Sequence, residues 1–314
     1  MIEAFNNINN AVCGILHINP YIQGVIVLLC INIIAILGMA VLTGFTRLFS
    51  FGNAGFMAIG AYCAAILIVR HNFNFLIAMV IGAALAGFVA FLLGSLTLKL
   101  KGDYFLITCL GFGECVRVLL NYFKKFSGGS AGFPGIPNYS SMLFSVICAI
   151  LAFFIAWRFI HSKYGRNLTS IRENEVAAEA VGINAFRYKR LSFTFSAVYA
   201  GWAGALYAGY MMYVVPTNFA LNKSIELITT TVIGGLGSLT GSVLGAVIVT
   251  LLPEIFRGLA NYRMLLYGIA VVLIIMFKPS GLYGYKEFSL KRFIANVKKL
   301  FSGKKTESGK EAAK

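Results

Sequence analysis

The chain has 314 residues, 59% of them hydrophobic and 12% charged, with a net charge of +16 from 27 Lys and Arg against 11 Asp and Glu. Soluble domains carry about 25% charged residues, so this composition excludes an ordinary soluble fold and points to an all-α polytopic membrane protein of about eight transmembrane helices. The apolar runs at 24–41 and 142–157 are long and unalternating, unlike β-barrel strands, and the basic residues flank apolar runs as in bilayer-oriented helices, so no nucleic-acid partner is expected.

Residues 1–21 contain Glu3 and no Lys or Arg, which does not fit a cleaved signal; they are expected as an external segment. A first transmembrane bundle over 22–160 is predicted to hold spans 22–42, 51–69, 75–98, 104–122 and 140–160. The polar loop 161–190 has six Lys or Arg and the tail 278–314 has ten, so both are expected in the cytoplasm. A second bundle over 191–277 is predicted to hold spans 191–213 and 262–277 around a glycine-rich region at 224–256. This arrangement leaves Lys124 and Lys125 outside, against the charge rule. Because 190 and 278 share one side, 224–256 must cross twice as short halves or re-enter. One continuous helix there would put the tail outside.

The stretch "TTVIGGLGSLTGSVLGAVIV" (230–249) explains how such a break forms. Each helical glycine costs roughly 1 kcal/mol against alanine, and irregular backbone survives at membrane depth only where protein buries it or water reaches it. Gly234, Gly235 and Gly237 are expected to open the helix. Gly237, Gly241 and Gly245, spaced by four, are expected to share a helix-packing face. Packing alone and lining a route both remain open for these glycines.

Within loop 161–190, Thr169 or Ser170 with Glu173 reads as a capping start for one helix, "SIRENEVAAEAV", stopped by Gly182. Ile171, Val176, Ala180 and Ile183 are expected to form its apolar face. Glu114 and Arg117, three apart in a span, are expected to pair, and Asp103 to cap the helix it opens. Glu226 is either a helix-start residue or a gate, and Glu254 is expected near an interface. Residues 288–301 suit a basic amphipathic helix on an anionic leaflet, and the last dozen residues are expected to be disordered. The six cysteines and the histidines His17, His71 and His161 form no metal or catalytic pattern, and "SGKKT" (302–306) lacks the upstream glycine of a phosphate loop. No enzyme activity, bound metal or cofactor is expected of this chain.

Ordered blocks carry a family resemblance: "LFSFGNAGFMAIGAYCAAIL" (48–67), "KGDYFLITCLGFGECVRVLLNYF" (101–123), "GGSAGFPGIP" (128–137), "GRNLTSIRENEVAAEAVGINAFRYK" (165–189), "GGLGSLTGSVLGA" (234–246), "LLPEIFR" (251–257), "YRMLLYG" (262–268) and "KPSGLYG" (278–284). Together they resemble the LivM-type permease subunit of branched-chain amino-acid ABC importers. The resemblance implies an inner-membrane subunit paired with a homologous second permease. It also implies two cytoplasmic ATPases carrying ATP-Mg and an external substrate-binding protein. It makes 165–182 the ATPase-coupling helix, with Arg166, Arg172, Glu173, Glu175, Ala178, Glu179 and Gly182 as contacts. The general importer pattern Glu-Ala-Ala-x3-Gly is altered here to Glu175-Val-Ala-Ala-Glu179-Ala-Val-Gly182, which leaves the contact register open. A route for a zwitterion with an apolar side chain needs backbone polar groups and apolar walls. Gly52, Asn53, Gly55, Gly111, Gly113, Gly234, Gly235 and Gly237 are the candidates for its lining. Urea, amide or sugar cargo, and an ATP-independent channel or secondary transporter, are the alternatives.

Overall fold

The computed structural model describes residues 19–100 and 103–255, with 268, 269, 272, 276, 277 and 281. The expectations for residues 1–18, for most of span 262–277 and for the tail beyond 281 lie outside the described residues. Eleven α-helices follow in order among the described residues: α1 Pro20–Thr46, α2 Asn53–His71, α3 Phe75–Thr97, α4 Asp103–Tyr122, α5 Lys124–Ser127, α6 Met142–His161, α7 Lys163–Glu173, α8 Glu175–Ala180, α9 Ala185–Met211, α10 Leu221–Gly234 and α11 Leu239–Ile255.

Four of these, α1, α2, α3 and α6, are long and apolar enough to cross a membrane. Helices α4 and α9 have 20 and 27 residues but carry more charge: Asp103, Glu114 and Arg117 in the first, Arg187, Lys189 and Arg190 in the second. Span 191–213 therefore begins earlier than the hydropathy pattern indicates, at Ala185, capped by the Asn184 side chain. Its basic first turns do not end the helix because their side chains lie along the neighbouring surface. Arg190 stacks 4.3 Å from the centre of the Phe91 ring and donates to Ser95 Oγ at 3.1 Å.

Helix α9 forms the centre of the bundle, packed on α1, α2 and α3, while α6 covers α1. Glycine makes this possible at one point in particular. A Cβ on Gly60 of α2 would lie 2.2 Å from Gly201 O of α9, and one on Gly204 would lie 2.0 Å from Met57 O. Gly82 of α3 meets Gly60 O in the same way, at 2.8 Å. Three backbones thus converge without side chains between them, as apolar helices do when no water drives them together. Around this point Phe193, fully buried, meets Phe56 and Phe105 edge-on at 5.5 and 5.7 Å. Large apolar side chains face outward from α3 and α6, including Phe88, Leu96, Ile150 and Phe154, which suits contact with lipid.

The glycine-rich region is two helices, not one. Helix α10 ends at Gly234, and α11 starts at Leu239 and packs back against it. Their 14 and 17 residues give lengths of about 21 and 26 Å, short of the roughly 30 Å hydrocarbon layer. Helix α1 fixes their depth. Lys223, near the start of α10, bonds Asn32, the thirteenth of the 27 residues of α1, whereas Gly237 in the break lies against Gly44 near the end of α1. Thr250 of α11 returns to Asn32, and Glu254 reaches Tyr21 in the first turn of α1. So α10 begins halfway along α1 and runs to its C-terminal end, and α11 runs back to its start.

The packing triad differs from the expected Gly237, Gly241 and Gly245. Gly237, at φ +95°, lies in the break and leaves the face. Gly234 takes its place: its Cβ would meet Gly241 O at 2.5 Å, and a Cβ on Gly245 would meet Gly234 Cα and Thr230 O at 2.7 Å. The fourfold spacing fails because α11 begins only at Leu239. Gly245→Ala should destabilise the protein by about 1–3 kcal/mol through overpacking. Thermal unfolding in detergent checks this; an unchanged midpoint would speak against the close approach.

Candidate functional site

The loop between α6 and α9 folds as two short helices rather than the single one expected from "SIRENEVAAEAV". Ser162, not Thr169 or Ser170, caps the first, accepting from Tyr164 N. Asn174 interrupts the stretch with extended backbone and caps the second, accepting from Ala177 N at 3.1 Å. Asn is a poor helix-interior residue and a good cap, so the local bond wins. Gly182, at φ +87°, closes α8, with Ile183 N donating to Ala178 O at 3.0 Å. Asn174→Ala should loosen α8 by about 1 kcal/mol, read as faster hydrogen exchange at Ala177 and Ala178 N–H.

The apolar face is also redistributed. Ile171, Ala178 and Ala185 are buried together, with Ile183 and Tyr188 against them. Val176 and Val181 are instead 78% and 76% exposed, and Ala180 is exposed too. The break at Asn174 separates α8 from α7, and these side chains face outward.

Among the coupling candidates, Arg166 is exposed. Arg172 faces inward: its Nη1 donates to Gly44 O at 3.0 Å, its guanidinium lies 5.9 Å from the centre of the Phe45 ring, and its Nη2 pairs with Glu173 at 2.7 Å. Hydrogen bonding to Arg172, and its charge, hold the Glu173 carboxyl below its ordinary range. Glu175 pairs with Lys189 at 2.5 Å. Glu175, Val176 and Glu179 line a cleft of about 720 Å³ with Arg47, Lys99 and Asp103.

Gly44 therefore joins two regions. Its carbonyl receives Arg172, and a Cβ on it would meet Gly237 N at 2.7 Å. Gly235, at φ +121°, and Gly237 turn the chain between α10 and α11, and Ser238 Oγ accepts from Gly241 N at 3.1 Å to start α11. Gly281 also lies against Gly235, so position 281 sits at the same end of the bundle as Arg172.

The other route candidates occupy a different place. A Cβ on Gly52 would lie 2.8 Å from Cys109 O, and one on Gly55 would lie 3.0 Å from Gly113 Cα, so these three glycines hold α2 against α4. Gly111 faces open space. Asn53 is buried, donating to Met39 Sδ at 2.9 Å and Ser196 Oγ at 3.1 Å, and the next residue, Ala54, donates its N–H to Ser224 Oγ. Glu114 and Arg117 pair on α4 at 2.6 Å, both side chains about one-third exposed.

Sequence reasoning missed Lys223. Its Nζ donates to Glu226 Oε2 and Asn32 Oδ1, each at 3.1 Å, and Asn32 Nδ2 reaches Thr250 Oγ1 at 3.3 Å. The signal was a Lys three residues before a Glu inside an apolar stretch. A charge at the centre of a membrane helix costs about 2.5–3.5 kcal/mol on insertion scales, so residues that keep one there usually have a functional reason.

Apolar helices joined through glycine contacts, a broken hairpin against α1 and a polar helix pair at one end define a polytopic helical membrane protein. Residues 21–276 match the family model for the branched-chain amino acid transport system permease component. The chain is 32% identical, over 80% of its length and 67% of the relative's, to the high-affinity branched-chain amino acid transport system permease protein LivM of Escherichia coli (strain K12). It is 29% identical, over 65% of its length and 68% of the relative's, to the probable branched-chain amino acid transport permease protein LivM of Methanocaldococcus jannaschii. A second Escherichia coli (strain K12) permease, LivH, is 27% identical over 44% of this chain and 45% of its own. No solved structure matches. The chain belongs to the family of branched-chain amino-acid transport permeases.

Proposed function

We propose that this chain is the membrane subunit of an ATP-driven importer that moves leucine, isoleucine and valine across the bacterial inner membrane by alternating access. ATP would be hydrolysed, as ATP-Mg, on two cytoplasmic partner chains. A homologous second permease would complete the pathway, and an external binding protein would deliver the cargo. The similarity of the chain to both LivM and LivH proteins supports pairing between related permeases. Family membership favours this reading over a self-sufficient channel.

The observation that carries the mechanism is the contact chain from Arg172 through Gly44 to Gly237. Helices α7 and α8 present Val176 and Val181 to the ATPases, and Arg166, Glu175 and Glu179 flank that surface. Movement of this pair on ATP binding would pull the carbonyl end of α1 through Arg172. The end of α1 bears on the Gly235–Ser238 break, where two half-helices can pivot with little backbone penalty. The α10–α11 hairpin would then change which side of the membrane the pathway faces. The shared end of Arg172 and Gly281 supports one side of the membrane for both, the cytoplasmic side in this reading.

The test is leucine uptake into proteoliposomes holding the full complex. Uptake is expected to require ATP on the side of the ATPases and binding protein on the other, and to be competed by isoleucine and valine. Leucine uptake by this chain without ATP or partners would contradict the proposal.

A further inference from the structure

We infer that Lys223, Glu226 and Asn32 form the station inside the membrane where the crossing amino acid's carboxylate and ammonium are held. This deepens the importer reading above and rests on it. The station is built halfway along α1, where α10 begins, rather than at either end of the bundle. Lys223 and Glu226 carry opposite charges 3.1 Å apart, with side chains 19% and 39% exposed, so neither is sealed inside the bundle. Ile225, between them in sequence, is 43% exposed, so α10 also presents an apolar side chain at this level.

This chemistry matches a zwitterion with a hydrocarbon side chain. Lys223 can exchange the Glu226 carboxylate for that of the cargo, while Glu226 takes the cargo's ammonium. Charge is conserved in each exchange, so no lone ion is left in a low-dielectric site. Without cargo the two side chains satisfy one another, with Asn32 accepting a second Lys223 proton and braced by Thr250. That internal pairing competes with the cargo and keeps its affinity low, as onward movement requires. A same-helix pair three residues apart contributes little to folding by itself, so stability alone is a weak reason to keep one at this depth.

The experiment uses the full complex in proteoliposomes, comparing Lys223→Met, Glu226→Gln and the charge-swapped Lys223→Glu/Glu226→Lys. Each is expected to assemble and to lose about tenfold or more of leucine uptake, the scale of one charge-assisted hydrogen bond. The swap restores an ion pair but reverses the order of charges at Asn32, so uptake should stay low. Recovery by the swap to within about twofold of native, well under one tenfold step, would make the pair structural and overturn the station; so would native rates in the single variants. Should the charge variants fail to assemble, Ile225→Cys in a Cys115→Ser chain keeps the pair. Its labelling by a thiol reagent is expected to slow during leucine turnover. Labelling indifferent to leucine would overturn the station. A native complex that takes up none of the three amino acids sinks the importer reading and the station together. Native uptake with indifferent variants sinks the station alone.

Discussion

Arg172→Glu is expected to abolish ATP-driven uptake in a protein that still inserts and binds its ATPases. Arg172 hydrogen-bonds the helix pair α7–α8 to the end of α1, and only 11% of its side chain is exposed. The substitution removes the 3.0 Å bond to Gly44 O and sets a carboxylate against that carbonyl, beside Glu173. Loss of one charge-assisted bond alone predicts about tenfold or more, and the new repulsion adds to it. The measurement is leucine uptake alongside ATP hydrolysis in the same proteoliposomes. Hydrolysis that continues without uptake is the expected uncoupled result. Arg172→Lys, which keeps charge but loses the planar fork, should fall between. Native uptake in the glutamate variant would remove Arg172 from the route.

Gly60→Leu is expected to prevent stable folding of the bundle. Even a Cβ at Gly60 would lie 2.2 Å from Gly201 O and 2.4 Å from its Cα, and both are backbone atoms that cannot swing aside. Helices α2 and α9 would have to separate, and α3, seated on the Gly60 carbonyl, would move with them. Overpacking in an ordinary core costs about 1–3 kcal/mol, and a leucine between two backbones belongs at or beyond the top of that range. Purified yield and the thermal midpoint in detergent read it. Gly111→Leu, where a Cβ meets nothing within 4 Å, is the control and should leave both near native. A Gly60→Leu protein with native yield and midpoint would contradict the convergence of these helices.

Much of this layout is legible in the sequence because it follows from composition. The ends of spans 75–98 and 104–122 fall within a residue of α3 and α4, since the change from apolar to polar is abrupt there. The break after Gly234 is legible from clustered glycines and from the crossing parity that basic flanks impose. The α7–α8 split is not, since the Asn174 cap competes with favourable helix formers on both sides, and only the geometry decides. Nor does spacing identify the partners of Gly234, which depend on how far α10 and α11 fold back. The tight set of Gly60, Gly82, Gly201 and Gly204 joins three distant segments, and one sequence carries no sign of which glycines meet. Lys223 shows in the sequence only as a lysine three residues before Glu226, since its other partner, Asn32, is 191 positions away.

The claim that cytoplasmic movement reaches the α10–α11 hinge through the end of α1 is tested most directly by distances across the ATP cycle. Spin labels at Val176→Cys and Ile225→Cys, in a chain without its native cysteines, would be measured in complexes trapped with and without ATP. The 176–225 distance is predicted to change by more than about 2 Å, the scale of helix shifts in switching proteins, and to stop changing when Arg172→Glu is added. A label at 225 that keeps its distances to fixed points on α2 and α3 while 176 moves would contradict the account.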